Sequence, residues 1–592
     1  MAITQLIKEA VVDSLAVLYQ QTFAEKDFQI NQTKPEFEGD YTVVLFSLVK
    51  TLKKSPDALG NELGRHLTTA YNHLFTGYNI IKGFLNLLVS GNYWLDILQD
   101  QYTNRHFGKS INKGRKIMVE YSSPNANKPL HLGHLRNNFL GWSIAEILKA
   151  NGYDTIKTCI VNDRGIHICK SMITWKMFGN NATPASEHEK GDHFVGRYYV
   201  MFNEKHKQEV QELISKGVNQ EEAEKQAPIM KATQEMLLMW ERGDEKVNEL
   251  WRMMNSWVYK GFEETYKRIG SDFDKIYYES ETYLPGKRFV EEGLDKGIFI
   301  KKEDGSIWID LTEDGLDEKL VLRKDGTSVY ITQDLGLAKQ KYEDFKTDLS
   351  LYVIADEQNY HMKVLKLICR KLEMPFADGI DHLSYGMVEL PGGKMKSREG
   401  TVVDADDLVD EMLATARFHT EALGKVKDFN EEELKELYEV IGMGAMKFYL
   451  LRVDPKKRMV FNPEESIDFH GFTGPFIQYT HARIKSVLRK EMPKAGFNIQ
   501  NAGLLPLEKE LIITLEQYPS VIEQAAIEFN PSVVANYGFQ LAKTFNSFYT
   551  THSIASAESE EKKQLRLQIS VMTANVIHSS MQLLGIKVPE RM

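Results

Sequence analysis

The pattern of apolar and polar positions changes character several times along this chain. Ile3, Leu6, Ile7, Val11, Leu15 and Leu18 recur mostly at three- and four-residue intervals, which predicts an amphipathic helix at the start. Phe84-Leu85-Asn86-Leu87-Leu88-Val89, entered through Gly83, is β-like and closes this first segment, and Gly91, Gly108 and Gly114 read as a linker. Ile117-Met118-Val119-Glu120-Tyr121 then reads as a short buried strand and Ser122-Ser123-Pro124-Asn125 as a turn. An apolar helical run follows through Leu135, Phe139, Leu140, Ile144, Ile147 and Leu148, and Gly152 ends it. Thr155–Val161 reads as a second strand. Strand, helix and strand in succession make a βαβ unit, hence a parallel sheet.

The stretch from about 176 to 265 differs: it is long, charged and helical, with Trp240, Trp251 and Trp257, and reads as an insertion into the sheet domain. Strand candidates resume at Ile307–Ile309, Leu320–Leu322, Val329-Tyr330-Ile331 and Leu351–Ile354. From about 430 the pattern is helical almost to the end. The division expected is therefore 1–112, 113–410 with its insertion, a connecting stretch 411–455, and a helical unit 456–592.

Composition narrows the classes. A chain of 592 residues suits roughly four domains, and 42% hydrophobic with 26% charged residues is ordinary for a folded, soluble protein. No run approaches the ~18 apolar residues of a membrane span. Glu9 and Asp13 interrupt the apolar start, which argues against a signal peptide. Three cysteines, Cys159, Cys169 and Cys369, form no CxxC pair, so neither a disulfide framework nor a cysteine-rich zinc site is expected, and the reading is a reduced, cytoplasmic protein. The net charge of −10 argues against coating nucleic acid by bulk charge and leaves room only for local basic patches.

The chemistry begins at His131-Leu132-Gly133-His134, which follows a strand and turn and opens a helix. A helix start offers unpaired N–H groups and a positive dipole end, where phosphate binds well. Gly133 removes a side chain where a ligand could approach the backbone. Two histidines three apart can donate to phosphate oxygens from one side, and Lys128 adds a fixed positive charge. Histidines at this spacing also bind zinc, but no third ligand stands out nearby, and no metal site is expected. The second candidate is Pro391-Gly392-Gly393-Lys394-Met395-Lys396-Ser397-Arg398-Glu399-Gly400, a glycine-flanked basic loop of the kind that brings charge to a transferring phosphoryl group.

The segment Ser123–Arg136 resembles the HIGH signature of the class I aminoacyl-tRNA synthetases, in the form found in the arginyl enzymes, and the basic loop resembles their KMSKS loop. The resemblance implies a Rossmann-type α/β catalytic domain with a helical insertion, an added N-terminal α+β domain that meets the tRNA elbow, a stem-contact region and a C-terminal helical anticodon-binding domain. It implies ATP contacts for His131, Gly133, His134, His361, Lys394, Met395, Lys396 and Ser397, with Lys128, His131, His134 and Lys394 catalytic. The loop departs from the family pattern at Ser397, where a second lysine is expected; Lys128 fills a position that carries a lysine in many arginyl enzymes, and Lys396 is the rival supplier of that charge.

A guanidinium carries five N–H donors and a permanent charge, so its site should offer carboxylates, carbonyl-type acceptors and an aromatic face. Glu120 ends the first strand; Tyr330 and Asp334 are four apart, on one face if helical; Gln358 and His361 follow a buried strand, where open α/β sheets bind ligands. The resemblance implies that Asn125 and Gln358, with Ser123 beside them, hold the amino acid's backbone end or side-chain amines, and that Glu120, Tyr330 and Asp334 read the guanidinium. Gln478, Tyr479 and Arg483 mix aromatic and basic character suited to RNA. That stretch, the ending Leu583–Met592, and Gly83-Phe84-Leu85-Asn86 resemble the family's tRNA-binding parts, with Phe84 and Asn86 the candidates in the last.

The function implied is ligation of L-arginine to tRNA(Arg) by a monomer, with ATP as substrate and Mg2+ expected with it. The alternatives are a class I synthetase for another amino acid and a tRNA-binding paralogue without catalysis. The first is disfavoured by the absence of room for a large editing insertion and by the acidic Glu120 and Asp334, the second by the presence of Lys128, His131, His134 and Lys394.

Overall fold

The computed structural model describes residues 3–34, 36–282, 286–325, 329–391, 403–422, 424 and 429–592, with the side chains of 286–288 left aside. The N-terminal helix Ile3–Tyr19 buries Ile3, Ile7, Val11 and Leu15 on one stripe, as its periodicity predicts. It accompanies a four-stranded antiparallel sheet in the order Gln29–Gln32, Tyr41–Val44, Phe84–Val89, Phe75–Ile81. The linker expected at Gly91 is instead a helix, Gly91–Gln101, that buries Trp94, Leu95 and Leu98. Glycine at its first position marks the helix entrance rather than a break. The whole N-terminal unit leans on the C-terminal helices: Ile3 N donates to Glu516 Oε1 (2.7 Å), Lys509 pairs with Asp40 (2.7 Å), and Asn575 donates to Tyr102 O (3.0 Å).

The central sheet is parallel. Its strands are β1 (Lys116–Glu120), β2 (Asp154–Val161), β3 (Lys275–Tyr278), β4 (Leu349–Ala355) and β5 (Ile380–Tyr385), in the spatial order β5-β4-β1-β2-β3. The strand order reverses between β1 and β4, which opens a crevice at their carboxyl ends, the usual ligand position in such sheets. Helix α1 (Leu132–Ala150) crosses from β1 to β2. The helical stretch between β2 and β3 contains α2 (Gly191–Ser215) and α3 (Glu245–Ile269). Trp251 and Asn255 of α3 donate to Asp163 O at 2.7 and 3.1 Å, so this stretch is bonded to the end of β2.

A separate antiparallel sheet of Ile300–Lys301, Ile307–Ile309 and Lys319–Leu322 precedes α4 (Tyr330–Phe345). Val329-Tyr330-Ile331, expected as a strand, enters this helix. Its β-branched and aromatic triplet is locally strand-like, but Ile331, Leu335 and Ala338 recur at helical spacing and are buried against α5 (Asn359–Lys371) and the small sheet. Helix α6 (Ala405–Ala422) and the helices Glu431–Leu451, Gly474–Lys490, Pro531–Thr551 and Glu560–Leu583 build the C-terminal part. Among the described residues no helix is long and apolar enough to cross a membrane.

One fully buried cation fastens helix α1 to the chain that leads into the C-terminal part. Arg136 of α1 donates to the carbonyls of Met387 (3.2 Å), Pro455 (3.2 Å) and Lys457 (2.8 Å). Burial pulls its pKa down to about 10, which still leaves it charged at neutral pH. Arg136→Leu leaves Lys457 O without its donor and removes a second donor from Met387 O and Pro455 O, which keep Met459 N and Gly386 N, and should cost about 1–3 kcal/mol. Hydrogen exchange would localise the loss: the amides of Met459 and Phe461, which donate to Met387 O and Glu389 O, should exchange faster, while Leu85 in the N-terminal sheet keeps its protection.

Candidate active site

The site is built on the turn after β1. Ser122 and Ser123 both take left-handed backbone angles, φ 78° and 48°, which cost of order 1 kcal/mol or more each for a residue with a side chain. The turn is held from α1 and α3. Asn137 accepts from Ser122 N and donates to Val353 O (2.7 Å); Asn138 Nδ2 donates to Ser122 Oγ (3.1 Å), which also bonds the Tyr266 hydroxyl (2.6 Å). The polar residues of the motif's helix therefore lock β1, β4 and the turn together.

His131 caps α1. Its Nδ1 accepts from Gly133 N (3.1 Å), and His134 Nδ1 accepts from His131 N (3.2 Å). The rings lie 3.9 Å apart. A side chain at Gly133 would meet the His131 imidazole at 2.9 Å, so glycine is needed for this cap. Burial pushes the His131 pKa down to about 3, with help from Lys128 and against the pull of Asp404. Burial, His131 and Lys128 together push His134 well below its ordinary range. Both rings are neutral at physiological pH. With each Nδ1 accepting, the ring proton sits on Nε2, which leaves two N–H donors.

A crevice of about 350 Å³ opens at the carboxyl ends of β1, β2 and β4. It brings together Glu120, Ser123, Tyr330, Asp334, Gln358 and His361. Asn125 is not among its walls; the turn carries its backbone beside Asn162, with which it pairs, and leaves the side chain exposed. Tyr330 stands 73% exposed at the rim. His361, expected beside adenosine, faces Asp334 at 2.6 Å in this same cavity, and that bond raises its pKa above the usual imidazole range.

Sequence reasoning missed Lys341 and Asn162. Lys341 is buried and forms an ion pair with Glu120, with its ammonium 4.8 Å from the Tyr352 ring centre. A signal for it existed: Tyr330, Asp334, Leu337 and Lys341 follow at four, three and four residues, one stripe of α4, and all four line the cavity. Lys394, Met395, Lys396 and Ser397 lie outside the described residues. The chain just beyond them returns to the histidines: Leu132 N donates to Val403 O (3.2 Å) and Ala405 N to Leu130 O (3.0 Å). Among the described residues, Asp192, His193 and Asp406 are spaced as metal ligands are, but Lys190 Nζ sits 3.0 Å from Asp192 and 2.7 Å from Asp406 and already supplies the cation there.

Two residues expected to meet RNA are corrected by their surroundings. Gln478 is fully buried, and its amide donates to Val440 O (2.9 Å) and Lys587 O (2.8 Å). Asn86 is buried within its sheet, accepting from Thr42 (2.6 Å) and donating to Asn79 (2.8 Å). Both amides are used inside the protein. Phe84 is half-buried, edge-on to the exposed Phe46 at 5.3 Å. Arg483 stacks between Tyr479 (4.9 Å) and Tyr549 (5.5 Å) beside a cavity of about 790 Å³ whose walls include Arg489, Lys490 and Arg591.

Comparison with known proteins agrees with this layout. Residues 97–462 match the family described as tRNA synthetases class I (R), catalytic domain, 2–89 the arginyl tRNA synthetase N terminal domain, and 477–592 the DALR anticodon binding domain. The arginine–tRNA ligases of Bacteroides thetaiotaomicron and Amoebophilus asiaticus are each 50% identical to this chain, over 100% of both chains. The chain belongs to the arginyl-tRNA synthetases. The solved Thermus thermophilus arginyl-tRNA synthetase shares the fold across 100% of both chains with a TM-score of 0.81 at 23% identity, and the Plasmodium falciparum one has a TM-score of 0.76 at 18%. The order of units in this arginyl-tRNA synthetase, N-terminal sheet, Rossmann-type sheet and helical end, is thus a property of the family fold.

The neutral histidines have a measurable signature. In ring-resolved NMR, His131 and His134 should show no titration between pH 8 and 5. Their folded pKa values lie below the unfolded value of about 6.5, so the unfolded chain takes up protons that the folded chain refuses. The His131 contribution to stability is complete above about pH 6.5 and should fall as pH drops toward 3, by about 1.4 kcal/mol per pH unit, and that of His134 falls in the same direction.

Proposed function

We propose that this protein activates L-arginine with ATP and transfers it to the 3′-terminal ribose of tRNA(Arg). The observation that carries the reading is the adjacency of two unlike surfaces. One is a crevice whose carboxylates, Glu120 and Asp334, suit a guanidinium. The other, the turn next to it, presents two neutral imidazole N–H donors and Lys128, which suit phosphate oxygens. An arginine held between them has its carboxylate directed toward the phosphate side.

In the first step an oxygen of the arginine carboxylate attacks the α-phosphorus of ATP. The P–O bond to pyrophosphate breaks, and arginyl-adenylate forms. In the second, a hydroxyl of the terminal ribose attacks the arginyl carbonyl and AMP leaves. No covalent bond to the protein is required; positioning and stabilisation of charge on the transferring phosphoryl group carry the rate. His131 and His134 act as N–H donors and not as acids, because burial keeps them neutral. Lys128 and Lys394 are the cations assigned to the pyrophosphate side. Magnesium enters with the nucleotide, since the turn offers N–H donors and a lysine rather than anionic ligands. The stacked Arg483, Tyr479 and Tyr549 supply the nucleic-acid face at the far end. We place the protein in the cytoplasm as a monomer.

ATP–pyrophosphate exchange measured against all twenty amino acids, with and without tRNA, tests the reading: arginine alone should support it, and only when tRNA is present. Full exchange with arginine and no tRNA would overturn the tRNA dependence. Asp334→Asn weakens one charge-assisted bond, worth ~1.5–3 kcal/mol, so the Michaelis constant for arginine should rise roughly 10- to 150-fold with little change for ATP. Lys128→Ala should slow single-turnover adenylate formation by roughly 10²–10³-fold at nearly unchanged arginine affinity, and more than Lys396→Ala does. The reverse order would move the compensating charge into the loop.

A further inference from the structure

The chain that follows the basic loop reaches the histidine turn through the two backbone bonds at Val403 and Ala405. What holds that chain in place is a cluster of charges contributed by the helical stretch between β2 and β3. Asp404 caps α6, with its Oδ1 accepting from Asp406 N (2.8 Å), and its Oδ2 lies 3.1 Å from His193 Nε2. Asp406, the second residue of the helix, receives Lys190 Nζ (2.7 Å) and Thr265 Oγ1 (3.1 Å). Arg268 Nη1 lies 3.5 Å from the other oxygen of Asp406, and Lys190 also holds the fully buried Asp192 at 3.0 Å.

Three acids, Asp192, Asp404 and Asp406, thus face three bases, Lys190, His193 and Arg268. Arg268 is shared with the exposed Asp410, and Asp404 with Asp406 raises the His193 pKa to about 10, so that ring is protonated at neutral pH. Burial opposes ionisation of Asp406, but His193 and Lys190 outweigh it and hold that carboxyl far below its usual range.

The same turn of α2 also braces the other side of the phosphate site. A side chain at Gly196 would meet Pro129 Cδ at 2.8 Å, so α2 lies directly against the residues that lead into His131. At Gly261, α3 packs so closely that a side chain would strike Asp192 Oδ1 at 2.2 Å. Lys190 and His193 therefore grip the 403–406 chain from a helix that simultaneously contacts 128–129. A buried charge cluster is a poor way to add stability compared with apolar packing, but it demands one geometry.

We propose that Lys190 and His193 are positioning residues for the phosphate site: through Asp404 and Asp406 they hold the 403–405 chain against the His131 turn. The inference rests on the adenylate-forming reading above, but its structural part can be tested apart from it. Lys190→Met and His193→Ala should each raise the Michaelis constant for ATP about tenfold, the scale of one lost charge-assisted bond, and leave that for arginine nearly unchanged. Lys190→Arg, which keeps the charge, should recover most of the loss.

Hydrogen exchange read by mass spectrometry on the same variants should show faster exchange in the peptides spanning 130–132 and 403–405, with the N-terminal sheet unchanged. Unaltered exchange there would overturn the proposal, as would equal losses for arginine and ATP or a Lys190→Arg variant as impaired as Lys190→Met. A global loss of protection would mark a merely structural role and count against it as well. If the parent protein shows no arginine-dependent exchange of pyrophosphate, the functional reading fails, while the peptide protection still decides whether the cluster sets the geometry.

Discussion

The parallel pairing of β1 with β4 is the constraint on which the rest of the site depends. These strands are far apart in the chain: Lys116 N donates to Asp348 Oδ2 across 232 residues, and Asp348 N returns a bond to Lys116 O (2.8 Å). Because β1 then pairs with β2 on its other edge, the chain runs outward in both directions from this seam, and the carboxyl ends of β1 and β4 open onto a crevice. Glu120 ends one wall, and Gln358 and His361 follow the other. The side chain of Asn137 joins the two walls, accepting from Ser122 N and donating to Val353 O. Without the seam, the acidic groups and the histidine turn would have no common frame.

Electrostatics distinguishes the His131 turn from the crevice. At the His131 turn, burial and a neighbouring lysine keep the imidazoles neutral, so each ring accepts at Nδ1 and keeps one donor at Nε2. In the crevice, each carboxylate has an internal partner: Lys341 for Glu120 and His361 for Asp334. A buried carboxylate without a partner is expensive, and these pairs offset that cost before any ligand arrives. In the function proposed above, an arginine guanidinium would compete with these resident cations for the two carboxylates.

Long-range packing also places the units that frame the site. The helix Gly91–Gln101 lies against the helices Pro506–Glu516 and Glu560–Leu583, so the N-terminal sheet is attached to the far end of the chain as well as to its sequence neighbour. Arg136 binds the motif helix to carbonyls near 387 and 455–457, where the central sheet passes into the helical end. Ser143 of the same helix donates to Leu583 O (2.7 Å), so the helical end is joined to the helix that carries His131 and His134 at more than one point.

Much of this was legible from residues close together in the chain. The βαβ unit and the helix opened by His131 and Gly133 follow from periodicities that act within one or two turns, whereas the helix carrying Tyr330 and Asp334 begins where the local triplet reads as a strand. The first two are settled by local sterics and by which side must be buried. The tertiary structure alone decided which polar groups remained available. Gln478 and Asn86 have side chains fit for RNA, yet neighbours up to about 110 residues away use them internally. Gly91 begins a helix because helices some 400 residues later cover Trp94 and Leu98. Glu120 and Asp334 are recognisable as acids from the sequence, but the identity of their resident cations depends on a seam between distant strands. A hydrogen-bonding group is spent or free according to what folding brings within about 3 Å of it, and no spacing along the chain encodes that distance.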